Sequence, residues 1–322
     1  MALLDTRVVY SPFEYEQAYN YWLQQQQAHW LHSEVNMNGD INDWKFNLTD
    51  SERFVIGHIL KGFVQAEVII GDFWSNKVTK WFKKPEIQMM ANTFSAFESI
   101  HAVSYAYLNQ SLGLEDFSAF LSDPTTKAKI DRLIETGGKS HADIARSLAI
   151  FSAFNEGVNL FSSFAILLNF KRFNKLKGVG TIIEFSVRDE SLHSEAGCWL
   201  FRTFVSEYSH VWTDEMKKDI YDAARLTVSL EDDYIEQAFS GGPIEGIDKD
   251  DLKQYIRFRA NAKLVDLGLK KNWKNVDMAV VTKITSWFDP MVSGTQLTDF
   301  FSGRSTNYSR GVVSFKGVWA DK

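Results

Sequence analysis

Residues 97–105 read FESIHAVSY and residues 187–197 read VRDESLHSEAG. Each stretch contains a Glu-x-x-His: Glu98-Ser99-Ile100-His101 and Glu190-Ser191-Leu192-His193. On a helix, residues three apart share a face about one turn apart. A carboxylate and an imidazole so placed can hold one ion from a rigid surface. Each motif has an isolated glutamate upstream in an apolar stretch. Glu67 sits in FVQAEVIIG, 98 − 67 = 31 residues before Glu98; Glu156 sits in FSAFNEGVNLFSSF, 190 − 156 = 34 residues before Glu190. Both separations fit a helix, a reversal and a helix. The chain therefore shows a pseudo-repeat, a helix with Glu followed by a helix with Glu-x-x-His, twice over.

The rest of the chain reads as helix around these four segments. Aromatic and leucine positions at helical spacing predict a first helix over 13–31, after a loose arm of residues 1–12. Thr49 and Glu52 form a capping-box pattern that opens a long helix over about 50–76. Pro85 opens another over about 86–110, which Gly113 ends. Further helices are expected over 126–135, 141–171, 181–208, 213–240 and about 250–268, the breaks falling at Gly137-Gly138, Gly178, Gly180 and Gly241-Gly242-Pro243. No segment alternates with period two. The expectation is an all-α, ferritin-like bundle of long helices, one domain over 1–285, with an irregular and flexible tail over 286–322.

Composition narrows the function. A net charge of −6 carries no electrostatic footprint for nucleic acid. No run of 18 or more uncharged apolar residues suggests a membrane span, and the N-terminus, MALLDTRVVY, does not read as a secretory signal. The single cysteine, Cys198, excludes an intrachain disulfide and a cysteine-rich zinc site, in keeping with a cytoplasmic setting. Five prolines in 322 residues favour long uninterrupted helices.

One Glu from each of two helices and Glu-x-x-His from each of two others is the ligand plan of carboxylate-bridged di-iron and di-manganese bundles. The candidate ligands are thus Glu67, Glu98, His101, Glu156, Glu190 and His193, holding two metal ions per chain. Oxygen-rich, nitrogen-poor sites suit iron and manganese. The pattern does not choose among Fe/Fe, Mn/Mn and Mn/Fe. A lone Glu-x-x-His is common on helix surfaces, and a lone core glutamate is often ion-paired. Six such features at matched spacing argue for metal.

FESIHAVSY (97–105), NEGVNLFSSFAILLNF (155–170) and VRDESLHSEAG (187–197) resemble the small, radical-generating (beta) subunit of class I ribonucleotide reductase, and the resemblance covers roughly residues 10–308. It implies that the six residues above are the metal ligands, the first being Glu67 where some members carry Asp. It implies a redox tyrosine at Tyr105, four residues beyond His101, and an electron path through Trp30, Asp189 and His101. A core tyrosine, a packing tryptophan and a capping aspartate are the plain alternatives. Leu160 departs from the family's near-metal phenylalanine, while Phe164 is retained. The tail is a poor match; Tyr308 and Trp319 are its candidate redox residues. The resemblance further implies a homodimer, a large catalytic partner subunit and, for a manganese member, a flavodoxin-like activator. Two other readings use the same ligands: an oxidase or monooxygenase acting on a small apolar ligand, and a ferritin-like metal store.

Overall fold

The computed structural model describes residues 2–293 apart from 115, 119–121 and 135–136. The described residues form helices and no sheet, with one isolated bridge between Ile244 and Ile247. In chain order these are α1 (Glu16–Gln27), α2 (Asn38–Asn42), α3 (Asp50–Asp72), a π-helical turn Phe73–Val78, α4 (Thr79–Trp81), α5 (Pro85–Leu112), α6 (Pro124–Ile134) and α7 (His141–Ile150). A further π-helical turn, Phe151–Asn155, is followed by α8 (Phe161–Arg172), α9 (Lys177–Glu207), α10 (Asp214–Ala238), α11 (Lys249–Asp266) and α12 (Met278–Val292). This is the all-α long-helix bundle of the ferritin-like fold.

Local chemistry sets most boundaries. Thr49 Oγ1 accepts from the Glu52 amide at 3.2 Å while Glu52 accepts from the Thr49 amide at 2.7 Å, closing the capping box that starts α3. Pro85 occupies the first turn of α5, and Gly113, at φ +74°, ends it in the left-handed region. Ser140 and Asp143 cap α7 reciprocally, and Thr213 caps α10.

The helices pack so that the four ligand-bearing segments face one another. α5 lies along α3 and α1; α9 lies along α8, α7 and the π-turn at 151–155; α11 covers α8 and that turn. The span Asp50–Trp81 is long and apolar enough to cross a membrane by length and composition alone. More than half of its most apolar window is buried within the bundle, where it carries Glu67.

Four expectations need correction. The arm at 1–12 is docked: Leu3 is buried, and the Arg7 guanidinium pairs with the buried Glu86 at 2.5 Å and with the carbonyls of Tyr10 and Pro12. That partner lies 79 residues away, so local sequence gives no sign of it. The first helix stops at Gln27, which leaves Trp30 on the connection that follows. The expected 141–171 helix is interrupted over 151–160. The helical body also continues past 285 to Val292, with Val281, Ile284 and Phe288 buried at helical spacing. Tyr308 and Trp319 lie outside the described residues.

Candidate metal centre

Glu67 comes from α3, Glu98 and His101 from α5, Glu156 from the interruption before α8, and Glu190 and His193 from α9. All six are at most 1% exposed. Their ligand atoms form two groups, each with atoms within 4.8 Å of one another: Glu67, Glu98, His101 and Glu190, and Glu98, Glu156, Glu190 and His193. Glu98 and Glu190 belong to both. Two ions held there would share Glu98 and Glu190, with Glu67 and Glu156 each serving one of them.

The electrostatics demand cations. Both carboxylate oxygens of Glu67 and of Glu190, Glu98 Oε1, Glu156 Oε2 and His193 Nδ1 are buried without a hydrogen-bond partner. Buried polar atoms left so are costly, and buried charges more so. Four carboxylates match the charge of two divalent ions, and two neutral imidazoles complete an O-rich donor set suited to iron or manganese. The residues therefore fit a dinuclear centre. When bound, such ions supply the redox chemistry that reduces an oxygen species and leaves a strong oxidant nearby.

The histidines point their Nδ1 atoms inward. His101 Nδ1 lies 3.0 Å from Glu98 and 3.1 Å from Glu190, and His193 Nδ1 lies 2.7 Å from Glu98. Their Nε2 atoms face outward. His101 Nε2 donates to Asp189 Oδ2 at 3.0 Å and His193 Nε2 to Gln25 Oε1 at 3.0 Å. Gln25 Nε2 donates to Asp189 Oδ1 and the Trp30 indole N–H to Asp189 Oδ2, both at 2.8 Å. Asp189 therefore joins Trp30 to His101, and Gln25 joins His193 to Asp189. Partners of this kind fix the tautomer and the ring plane of a ligand histidine. The Trp30 ring also stacks on His101, with centroids 5.9 Å apart.

Tyr105 is fully buried, its ring 6.2 Å from His101 and 4.9 Å from Phe63. Its hydroxyl makes no well-aligned hydrogen bond, and the Ser186 side chain is the polar group beside it. Burial, then the charge of Glu67, holds the phenol well above its usual range, so it stays protonated. Phe164 packs on Phe63. Leu160 lines a cavity of about 20 Å³ with Phe63, Ala66 and Tyr234, room for a water-sized molecule.

Two residues of this site escaped the sequence reading. Gln25 lies in a QQQQ run that reads as solvated, yet Ala18, Tyr21 and Gln25 share the buried stripe of α1. That period was the available signal. Trp74 donates its indole N–H to Glu156 Oε1 at 2.7 Å from the π-turn after α3. Nothing local marks it.

Without metal, the cluster must hold protons. Burial pushes Glu67 and Glu190 up to about 8, and Glu156 well above the carboxylate range. Burial opposes ionisation of Glu98 too, but His193 and His101 hold it at about 2. Burial disfavours charge on His101 and His193, yet the surrounding carboxylates raise both. The raised groups bind protons in the fold that the unfolded chain has released, so the stability they provide falls as pH rises from 4.5 through about 8. Glu98 acts oppositely, but only between 4.5 and about 2. The metal-free protein is therefore expected to melt roughly 5 °C or more lower at pH 8.5 than at pH 6. The Mn(II)-loaded protein should change much less, because the ions replace the protons. Differential scanning fluorimetry of both forms checks this; a metal-free melting temperature that holds or rises with pH would contradict it.

The ribonucleotide reductase small-chain family model matches residues 7–278. The chain belongs to that family. It is 33% identical to a probable ribonucleoside-diphosphate reductase small subunit of Invertebrate iridescent virus 3, over 98% of this chain and 88% of that protein. It is 26% identical to the human ribonucleoside-diphosphate reductase subunit M2, over 96% of this chain and 77% of that protein. Among solved structures, the ribonucleotide reductase R2 subunit from Clostridium botulinum superposes with a TM-score of 0.82 at 20% identity, covering 91% of this chain and 94% of that one. The dimanganese(II)-NrdF of Streptococcus sanguinis superposes with a TM-score of 0.74 at 20% identity, covering 87% of this chain and 99% of that one. These likenesses at 20% identity speak to the fold. As a family member the chain is an oxidoreductase component, the small subunit of a ribonucleoside-diphosphate reductase, with a Glu/His dinuclear centre for radical generation. The six ligand candidates converge on that centre in the structure, and Tyr105, Asp189 and Trp30 adjoin it.

Proposed function

We propose that the six converging residues are the ligands of the two ions, that Tyr105 stores the oxidising equivalent, and that Asp189 and Trp30 pass it to a large catalytic subunit. The observation that carries this reading is the Trp30–Asp189–His101 chain, whose two hydrogen bonds measure 2.8 and 3.0 Å. Tyr105 is held as a neutral phenol, so its oxidation gives up one electron and the O–H proton together, both taken by the oxygen species that is reduced at the centre. Asp189 Oδ2 accepts the N–H of both Trp30 and His101, and so can take the indole proton when Trp30 is oxidised. The apolar wall of Phe63, Phe94 and Phe164 keeps water from the oxidant. Reduction of the ribonucleoside diphosphate takes place on the large subunit. This chain acts as a homodimer in the cytoplasm, and Tyr308 in the tail is the candidate for the final relay. A flavodoxin-like activator is the candidate further partner if the ions are manganese.

Asp189→Asn tests the relay. It keeps the shape but can neither carry a negative charge between Trp30 and His101 nor take a proton. Metal content and any tyrosyl signal should persist, while nucleotide reduction with the large subunit falls at least about 100-fold, the range of a positioned proton acceptor. Wild-type turnover in that variant would sink the relay.

A further inference from the structure

Glu156 alone among the six stands on an interrupted helix, and the interruption has its own set of side-chain partners. Over 151–160 the helical hydrogen bonds change register. The amides of Glu156 and Asn159 reach back five residues, to Phe151 O at 3.0 Å and Phe154 O at 2.9 Å, and that of Phe161 reaches only three, to Val158 O at 3.1 Å. In a continuous helix the Glu156 amide would meet Ser152 O and the Phe161 amide would meet Gly157 O. Both carbonyls are instead taken by side chains from other helices. Ser194 of α9 donates to Ser152 O at 2.6 Å. Arg259 of α11 donates to Gly157 O through Nε and one terminal nitrogen, at 3.1 and 3.0 Å. Lys129 of α6 donates to Asn159 O at 2.9 Å. The Arg259 guanidinium also lies 3.3 Å from the centroid of the Phe161 ring, so it touches both residues of the helical bond that is missing between Gly157 O and the Phe161 amide. Gly157 is needed for this fit, because a Cβ there would stand 2.4 Å from Ala153 O and 2.7 Å from Ser194 Oγ.

We propose that Arg259 is the positioning residue of the second metal position: by clamping the Gly157 carbonyl it keeps the helix broken where Glu156 projects, and so sets the affinity of the Glu98–Glu156–Glu190–His193 group. The other group does not use Glu156. A positioning role therefore predicts a selective effect, which general destabilisation does not. The fork of Arg supplies two donors to one carbonyl; Lys would supply charge from a single nitrogen without that geometry. This inference rests on the dinuclear reading of the site.

The test is Mn(II) titration of the metal-free full chain, with free ion read by electron paramagnetic resonance and helicity by circular dichroism. Wild type should take two ions per chain. Arg259→Met should keep its helicity and its first ion and bind the second about 100-fold more weakly, the upper range for loss of an outer partner of a metal ligand. Arg259→Lys should fall between the two. Arg257→Met, which removes from the same helix an arginine paired with Asp232 of α10 at 2.5 Å, should titrate as wild type. Two ions bound with unchanged affinity in Arg259→Met overturn the proposal, and so does an equal weakening of both ions. A wild-type chain that takes fewer than two ions overturns the dinuclear reading itself, and this proposal with it.

Discussion

Tyr105→Phe is expected to fold, load metal as wild type does, show no tyrosyl signal after exposure to an oxygen species, and lose nucleotide reduction by at least about 1,000-fold, ~4 kcal/mol of barrier. The expectation of an intact fold has a specific cause. The Tyr105 hydroxyl is buried, and the Ser186 hydroxyl beside it already donates to Ile182 O at 3.1 Å, so its removal leaves no partner stranded. The ring contacts with Phe63 and His101 do not use the hydroxyl. The variant therefore separates redox chemistry from structure better than most substitutions in a protein core. Electron paramagnetic resonance, metal quantification and turnover with the large subunit together decide it. Turnover retained in the variant would place the oxidising equivalent on the ions rather than on Tyr105.

Glu98→Ala is the second large effect. Glu98 belongs to both ligand groups, and the Nδ1 atoms of both His101 and His193 lie within 3.0 Å of it. Its loss should weaken both ions, each by more than about 100-fold, beyond the usual cost of losing an outer partner. Glu67→Ala should weaken one ion and spare the other, because Glu67 belongs to one group alone. The contrast is the point. If Glu98→Ala keeps one ion at wild-type affinity, Glu98 does not bridge, and the assignment of shared ligands fails. Isothermal titration with Mn(II) on the three proteins gives the answer without an activity assay.

The two large effects differ in how far the sequence foretells them. Glu98 and His101 are three apart on one helix, and helix geometry alone puts them side by side. The same holds for Glu190 and His193. Tyr105 follows His101 by one turn, so its nearness to the cluster is also local. What local spacing does not show is which carboxylates bridge. That follows from how α3, α5, α9 and the break before α8 meet, which puts Glu98 and Glu190 in both groups of ligand atoms and Glu67 and Glu156 in one each.

The sequence by itself determined the all-α class, the six ligand candidates and the caps that start α3 and α5: the caps and the two Glu-x-x-His pairs rest on residues within a few positions of one another, and the two lone glutamates on a spacing that recurs along the chain. Tertiary structure alone decided the rest. Gln25 reaches Asp189 and His193 across more than 160 positions, Trp74 reaches Glu156 across 82, and Arg259 reaches Gly157 across 102. Arg7 docks the N-terminal arm on Glu86 in the same manner. These contacts satisfy buried polar groups left over after the helices have formed, and such leftovers exist only once the helices are packed. The break at 151–160 belongs with them. FSAFNEGVNL reads as helix by composition, and it departs from helix because Ser194, Arg259 and Lys129 offer its carbonyls other donors.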